Sequence, residues 1–552
     1  MKTKWKQFGD VKIEKAYLAV ATSLKLNSFW GTPRFMKFGM AIQKQLKAGL
    51  DCNPMSNDSV YHKRTFTIAL LFLTFLAIIA IWYPRFPAMQ DYPESLFMAH
   101  VISSFDNSAF NWGEYYAKNL HVGPYSLFFV VVSFLAKAVP IEAAGKIFIS
   151  LTLCLTTVLV FVWNRAHSPD HTAWSFLMLV PLLFSQVYYM GFVNYLISIP
   201  LLFLTLHVHE KMTAGDVSPR TMMVYLALLA LLFLSHPYTV LVFLVLSVVI
   251  SVFSSNTKKQ LVIGLGGPLI AVAVFVLWFI KTFDIFTAQR MGAPSIRWWP
   301  LKDVFRYFLL PFIGMRVTNS PDIVTLLAWL TIVLLFFIAW LKQRKSVRFR
   351  LPFYIMLLLS IAGYIILPFW LGDYSYFNLR MSIICYFLLA LVLSSIQLTK
   401  WSSYLFVLAI TVIMLMTIRT QTALSAETER LLPLFDRMKK NEMVYFLDRD
   451  SSPSAIDTWY FYQFHSHENF YYHIVVGGGV ASKLFDSKMN PILLKNSVTI
   501  PDIFAAPQFY QYVLVRGPLF QEWLFGGTHY LVAQSDPWRL YQRYKPLQNP
   551  RE

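Results

Sequence analysis

The chain is poor in cysteine, with three in 552 residues: Cys52, Cys154 and Cys385. Cys52 lies in the N-terminal region and the other two lie inside apolar runs, so the sequence predicts no disulfide framework. Acidic residues are also scarce, since 29 Asp and Glu stand against 48 Lys and Arg. The basic residues concentrate at the N-terminus and in short loops between apolar segments, which is typical of membrane orientation. We therefore expect no nucleic-acid partner.

Recognisable phosphate and metal motifs are lacking as well. Gly477-Gly478-Gly479 fits neither the Walker pattern nor GxGxxG, so it predicts no phosphate loop. The spacing of His465, His467 and His473 matches no common metal site, and no cysteine or clear carboxylate completes the set. We interpret these three as surface histidines and predict no metal ligand, while a divalent cation stays open as a cofactor.

Apolar residues are abundant: 56% of the chain is hydrophobic, 17% is aromatic and 14% is charged. The apolar runs are longer than a soluble core needs, which predicts a polytopic α-helical membrane protein. Twelve apolar segments follow one another, at 65–83, 124–139, 141–163, 173–188, 190–208, 222–236, 237–254, 261–281, 324–341, 353–371, 382–399 and 402–418.

The side of the membrane follows from the run KQRKSVRFR at 342–350, which has five basic residues and no acid and therefore predicts a cytoplasmic loop. Three apolar segments follow this run, so the chain after Ile418 is expected outside the cytoplasm. With the N-terminus in the cytoplasm, twelve crossings would return the C-terminal part to the cytoplasm and contradict that placement. We therefore expect 11 or 13 spans, with one short segment in 124–254 that does not cross fully.

Three regions are predicted. Residues 1–64 carry twelve Lys and Arg against four Asp and Glu, and they are expected to stay cytoplasmic; a signal peptide is excluded because the first apolar run begins at Thr65. Residues 65–418 form the transmembrane module, with a first outer loop at 84–123. Residues 419–552 are more polar and predict an extracytoplasmic α/β domain. Its strand-like runs are 444–447, 472–476, 512–515, 530–533 and 540–544. We expect a multi-pass protein of the inner (plasma) membrane.

Two carboxylates, Asp91 and Glu94, stand in the stretch PAMQDYPESLFMAH that follows the first apolar segment. An acid charged in hydrocarbon costs several kcal/mol, so this stretch should lie at or outside the membrane surface. Pro93 biases Tyr92 towards an extended backbone and suits the first turn of a helix. We therefore predict that Asp91 precedes a helix running through Glu94 and His100.

Further polar residues are predicted on the same membrane face as Asp91. They are Gly191 and Asn194 in SQVYYMGFVNY, His236 in SHPYT, and Asp373, Asn378 and Arg380 in LGDYSYFNLR. Each has another interpretation. The two acids suit an ordinary solvated loop, Asn194 suits helix packing, His236 suits a helix end, and Arg380 suits a snorkelling position.

One N-terminal span, an outer loop with an acid in an Asp-Tyr-Pro context, many further spans and an outer α/β domain resemble the GT-C class of integral membrane glycosyltransferases. GFVNYLISIP, FLSHPYTVL and DYSYFNLR are similar to segments of bacterial members of that class. The resemblance implies a polyprenyl-phosphate sugar donor and a glycan, lipid or protein acceptor, as in envelope polysaccharide biosynthesis. The catalytic acid of the class would fall on Asp91. Many members carry two adjacent acids there, whereas Glu94 stands three residues on, so its share in catalysis stays open.

The residues fit this chemistry in their own right. Transfer from a sugar phosphate to a hydroxyl needs a carboxylate that takes the acceptor proton. It also needs a cation or hydrogen-bond donor that stabilises the leaving phosphate. Asp91 and Glu94 are the candidate catalytic residues. The candidate donor-phosphate and substrate-binding residues are Arg380, His236, Asn194, Asn378 and His100.

Two other functions are alternatives to glycosyl transfer. A transporter or flippase for a lipid-linked glycan should carry ionisable residues at the bilayer midplane or repeated halves, and the sequence shows neither. For a non-catalytic assembly protein, the polar clusters on one face would be coincidental. A glycosyltransferase is therefore the interpretation that the sequence favours.

Overall fold

The computed structural model describes residues 57–544, apart from 121–122, 169–171, 289–295, 314–321, 346, 348–349, 372–373, 449–466, 482–489, 496–497, 499, 502 and 518–527. The basic N-terminal region therefore lies almost entirely outside the described residues. The described chain is mostly helical, with a small sheet region near the C-terminus. Residues 62–552 form one compact unit.

The α-helices are α1 Asn57–Trp82, α2 Tyr92–Ser104, α3 Trp112–Tyr115, α4 Ser126–Leu135, α5 Ile141–His167, α6 Leu179–Leu182, α7 Gln186–Tyr189, α8 Val193–Thr213, α9 Pro219–Ser235, α10 Pro237–Ser254, α11 Lys258–Ala288, α12 Leu301–Ile313, α13 Ile323–Gln343, α14 Leu351–Ile366, α15 Phe377–Leu393, α16 Lys400–Glu429, α17 Leu432–Phe435 and α18 Phe470–Tyr472. Short 3₁₀ turns lie at Trp174–Met178 and Pro507–Phe509, and a π-helical turn lies at His473–Gly477.

Six helical stretches of the described chain are long and apolar enough to cross a membrane: His62–Trp82, Ile141–His167, Pro237–Ser254, Lys258–Thr282, Ile323–Gln343 and Lys400–Phe435, the last of which runs from α16 into α17. Shorter apolar helices accompany them, and α4, with ten residues, is about 15 Å long against a hydrocarbon core of about 30 Å. The predicted long apolar helices are confirmed. The number of spans and the orientation stay predictions.

The apolar segment 173–188 is not one continuous helix. The chain there forms the 3₁₀ turn at Trp174–Met178 and the two four-residue helices α6 and α7. Pro181 lies inside α6; proline lacks the amide hydrogen that an α-helix uses and crowds the carbonyl four residues earlier, which disfavours a regular helix here. The predicted boundary between the segments 222–236 and 237–254 is confirmed, since α9 ends at Ser235, His236 is extended and α10 begins at Pro237.

The core of the described helices centres on α8 and α15. Nearly every side chain of both helices is buried, which agrees with sequences that are apolar on all faces. Aromatic rings join the two, because Phe203 of α8 stacks on Phe387 of α15 with ring centres 5.1 Å apart. These central helices carry the polar residues described below at their N-terminal ends.

The strands are β1 Tyr116–Lys118, β2 Ile296–Arg297, β3 Trp370–Leu371, β4 Tyr374–Ser375, β5 Val444–Asp448, β6 Ile492–Leu494, β7 Tyr512–Arg516, β8 His529–Ser535 and β9 Trp538–Arg543. The C-terminal sheet has the order β5-β7-β9-β8, in which β5 and β7 are parallel and the other pairs are antiparallel. Elsewhere β1 pairs with β6, and β2, β3 and β4 form a small sheet.

Four of the five predicted strand runs are confirmed by β5, β7, β8 and β9. The strand predicted at 472–476 is wrong, because this run is helical. Its first three side chains, Tyr472, His473 and Ile474, are buried one after another, without the alternation of a strand. The two preceding rings are packed in the same way: Phe470 lies 5.1 Å from Phe97 and Tyr471 lies 4.1 Å from Phe86, between ring centres. A short apolar run does not by itself distinguish a buried helix from a strand.

The C-terminal sheet is attached to the helices through α16. This helix is continuous across the predicted domain boundary at 418/419 and reaches Glu429. Near its end Glu427 forms a buried ion pair with Arg516 of β7, with 2.6 Å between Oε1 and Nη2. The indole of Trp538 also donates a hydrogen bond to the Glu427 carbonyl at 3.0 Å. The first loop joins the same region through the antiparallel pair β1 and β6.

Candidate active site

The segment that leads to Asp91 is fixed by one face of α16. Three acceptors spaced four residues apart along this helix, one per turn, each accept a hydrogen bond from a backbone amide of the segment. The pairs are Arg85 to Glu429 Oε1 at 3.1 Å, Phe86 to Ser425 Oγ at 3.2 Å, and Ala88 to Gln421 Oε1 at 3.0 Å. The end of α16 therefore determines where Asp91 lies.

Asp91 itself is held by the turn between α7 and α8. Its backbone amide donates to the Met190 carbonyl at 3.0 Å, and the Gln90 amide donates to Tyr189 at 2.8 Å. Gly191 makes this approach possible, because a Cβ added there would lie 2.7 Å from the Asp91 nitrogen, and its φ is +80°. Gly191 is thus required by a close backbone contact with the acid loop.

The predicted helix after Asp91 is confirmed. Asp91 is the residue before α2, and Pro93 lies in the first turn. An aspartate in this position usually caps the helix. Here, among the residues that the structure describes, the Asp91 side chain makes no capping hydrogen bond. Its carboxylate is therefore available to the site.

His467 contacts both acids of the loop. Its Nδ1 lies 2.7 Å from Glu94 Oε2, and its Nε2 lies 3.7 Å from Asp91 Oδ1. The Glu94 side chain is buried at 4% exposure, that of His467 is 21% exposed, and that of Asp91 is 39% exposed. Asp91 is thus the more exposed of the two acids in this cluster.

The interpretation of the C-terminal histidines as surface residues is wrong for two of them. His467 lies between the two acids, and His473 is fully buried with its Nδ1 2.8 Å from the Gly478 carbonyl. His465 lies outside the described residues. Sequence spacing alone does not show that the carboxylate partners of His467 stand in the first loop, far upstream.

The protein raises the pKa of Asp91 from 3.8 to about 6. Burial is the largest cause, and the charge of Glu94 raises the pKa further, whereas His467 and Arg380 lower it. The side chain opens on the site, while the surrounding protein still removes much of the bulk water. A carboxylate with this pKa is largely ionised at neutral pH and accepts a proton more readily than an ordinary aspartate.

Arg380 is buried beside this cluster, in the first turn of α15, at 9% exposure. Its guanidinium lies 4.5 Å from the ring centre of Phe192 and 5.7 Å from that of Phe377. The Tyr195 hydroxyl donates to the Arg380 carbonyl, which fixes the backbone. Arg380 is therefore a positioned cation near Asp91, and the snorkelling interpretation does not fit it.

Asn194 and His236 lie around Tyr125, which precedes α4. Asn194 uses both ends of its amide on backbone, donating to the Tyr125 carbonyl at 2.8 Å and accepting from the Phe128 amide at 2.9 Å. The His236 ring centre lies 4.7 Å from that of Tyr125, and its Nδ1 accepts from the Tyr238 amide at 3.2 Å. Both residues thus position the wall of the site, and the contacts of Asn194 support its packing interpretation.

Asn378 and His100 have local contacts. Asn378 is buried, and its Oδ1 accepts a hydrogen bond from the next backbone amide at 2.9 Å. His100 lies in an aromatic cluster, with ring centres 5.4 Å from Phe110 and 5.9 Å from Trp112. Burial lowers the pKa of His100 to about 4, so it is neutral at physiological pH. The structure therefore places His100 apart from the contacts that join Asp91, Glu94 and His467, and Asp373 lies outside the described residues.

A cavity of about 590 Å³ opens beside Tyr125. Its walls are largely apolar, formed by side chains such as Phe129, Phe134 and Trp278, and Lys137 and Lys281 add two positive charges. This volume lies in the range of ligand-binding cavities. The combination suits a molecule with an apolar chain and an anionic group.

The geometry offers a carboxylate with a raised pKa, a histidine between two acids and a buried arginine, and it offers a cavity that other residues line, Tyr125 among them. Comparison with models of known protein families gives no match to this sequence, and comparison with curated proteins gives none either.

Proposed function

We propose that this protein is a membrane-embedded glycosyltransferase that moves a sugar from a polyprenyl-phosphate donor to a hydroxyl of a glycan, lipid or protein acceptor. One observation carries the proposal: Asp91, with a pKa of about 6, is in contact with His467 and lies within the influence of the buried cation Arg380. A base and an anion-binding group thus lie at one site, as glycosyl transfer from a sugar phosphate requires.

In this proposal Asp91 takes the proton of the acceptor hydroxyl as the oxygen attacks the sugar carbon. Glu94 and His467 are positioning residues, since Glu94 Oε2 holds His467 at 2.7 Å and His467 in turn faces Asp91. When protonated, His467 also offsets the charge of two neighbouring carboxylates. The buried Glu94 therefore acts through His467.

Arg380 binds the phosphate that leaves the sugar. A guanidinium donates two parallel hydrogen bonds to a phosphate, and its planar face packs on aromatic rings, as it does here on Phe192 and Phe377. The cavity beside Tyr125 has apolar walls and two lysines, which supports entry of a lipid-linked donor from that side. In the predicted topology this chemistry takes place on the outer side of the plasma membrane.

The experiment is a transfer assay of purified protein with a panel of polyprenyl-phosphate sugars. Asp91→Asn keeps size and hydrogen bonding but cannot accept the proton, so we expect a rate roughly 10²- to 10⁴-fold lower. Asp106→Asn is the matched control, because Asp106 lies in the same loop and pairs with Lys118 at the surface. Should Asp91→Asn retain most of the rate, Asp91 is not the base, and should Glu94→Gln retain it as well, the loop is not catalytic. Transfer by no donor in the panel would overturn the donor class.

A further inference from the structure

A second cluster of polar side chains lies at the far ends of α5 and α8. His167 is the last residue of α5, and His207 and Glu210 are three residues apart on α8, so both point from one face of that helix. One nitrogen of each histidine and one Glu210 oxygen all lie within 4.8 Å of one another. Two imidazoles and one carboxylate are a donor set that divalent transition metals use in proteins.

His207 points to a ligand more strongly than its neighbours do. It is 6% exposed. Within the part of the chain that the structure describes, neither of its ring nitrogens has a hydrogen-bond partner. A buried polar group left without a partner destabilises a fold by roughly 1–3 kcal/mol. A metal bond to one of these nitrogens would remove that cost.

Arg350 supplies the positive charge beside this cluster in the present structure. One guanidinium nitrogen lies 2.7 Å from His167 Nδ1 and 3.3 Å from Glu210 Oε1. The Arg350 side chain is 51% exposed, whereas His207 is buried and the His167 side chain is 4% exposed. The Arg350 side chain can therefore swing out into solvent without disturbing the core. A metal cation in its place would balance the negative charge of Glu210.

We propose that His167, His207 and Glu210 bind one divalent transition-metal ion of the Zn²⁺ type, and that Arg350 competes with this ion for the cluster. Tetrahedral zinc ligands at about 2.0–2.1 Å from the metal lie about 3.3 Å apart, so the side chains would close in by about 1.5 Å at most. The metal would then join α5 to α8.

The metal site is remote from the candidate active site. Asn194 and Glu210 are separated by sixteen residues of α8, or about 24 Å along the helix. Arg350 belongs to the basic run 342–350, which places the cluster on the predicted cytoplasmic side. The ion would act there as a clamp between helices, away from the proposed sugar transfer.

The test is a titration of the full-length protein, purified without a histidine tag, with Zn²⁺ and with Co²⁺ as a spectroscopic probe. We expect one saturable ion and a visible Co²⁺ absorption. His207→Asn and Glu210→Gln should each weaken binding by more than about tenfold, since loss of an outer-shell partner alone costs about 10- to 100-fold. His467→Asn is the control and should leave the metal affinity unchanged, because His467 also contacts an acid, Glu94, but belongs to the candidate active site and not to this cluster.

Arg350→Met tests the competition between Arg350 and the metal ion. The Arg350 side chain is exposed, so we expect this variant to fold normally. Removal of the competing cation should tighten Co²⁺ binding. Weaker binding by this variant would refute the competition, and no saturable ion in either wild type or Arg350→Met would refute the site. Loss of the ion in His467→Asn would assign it to the other cluster. The readout is metal binding, so it stands whether or not the protein transfers sugar.

Discussion

The pKa of Asp91 can be measured before any substrate is known. Dicyclohexylcarbodiimide reacts with protonated carboxyl groups, and the Asp91 side chain is 39% exposed and thus open to the reagent. With a pKa of about 6, against 3.8 for an ordinary aspartate, roughly nine tenths of Asp91 is protonated at pH 5 and roughly one tenth at pH 7. An ordinary aspartate would be only about 6% protonated at pH 5. Labelling quantified by peptide mass spectrometry should therefore fall about tenfold between these two pH values.

Two variants test the causes of the shift with opposite signs. Glu94→Gln removes a charge that raises the pKa of Asp91, so the labelling midpoint should move to lower pH. His467→Asn removes a charge that lowers this pKa, so the midpoint should move to higher pH. A wild-type midpoint near pH 4, or movement of both variants in the same direction, would refute the electrostatic account of the site.

The same protonation should limit the proposed transfer. A general base works in its ionised form, and the ionised fraction of Asp91 rises with pH through its pKa. Between pH 5 and pH 7 the rate should therefore rise about tenfold, since the ionised fraction grows from roughly 0.1 to roughly 0.9. A rate that is flat across this interval would remove Asp91 from the role of base.

Further predictions concern the fold and the donor site. Gly191→Ala should lower both the melting temperature and the transfer rate, because the added Cβ would meet the backbone of the acid loop. Gly113→Ala is the control and should change neither, since a Cβ added there would meet no neighbouring atom within 4 Å. Arg380→Lys loses the planar fork and should slow transfer roughly 10- to 100-fold in a folded protein; an unchanged rate would exclude it from the site. Glu427→Gln removes the carboxylate charge from a buried ion pair and should lower the free energy of unfolding by about 3–5 kcal/mol, measurable by denaturant titration, and a loss below about 1 kcal/mol would contradict this. A periplasmic reporter fused after the last strand should be active, and a cytoplasmic signal there would overturn the predicted topology.

Local sequence determined much of the secondary structure. Long apolar runs predict long helices because a helix satisfies the hydrogen bonds of its own backbone. The described chain contains these long apolar helices. Pro93 and Pro237 mark helix starts correctly, since proline fits the first turn, where its missing amide is not needed. Four of the five predicted strand runs were also confirmed. These features depend on residues that are close together along the chain, so a short stretch of sequence is enough to predict them.

Only the tertiary structure decided the composition of the site. His467 stands beside Asp91 and Glu94 although it lies far downstream, and no local pattern encodes such a pairing. The helical run at 472–476 could not be predicted for the same reason, because a short apolar run becomes a helix or a strand according to the surface on which it packs. The hydrogen-bond acceptors spaced by four on α16 likewise have no visible role until the segment that donates to them is in place. Contacts between remote segments depend on how whole helices pack, so sequence could name Asp91 as a candidate base but not the histidine that faces it.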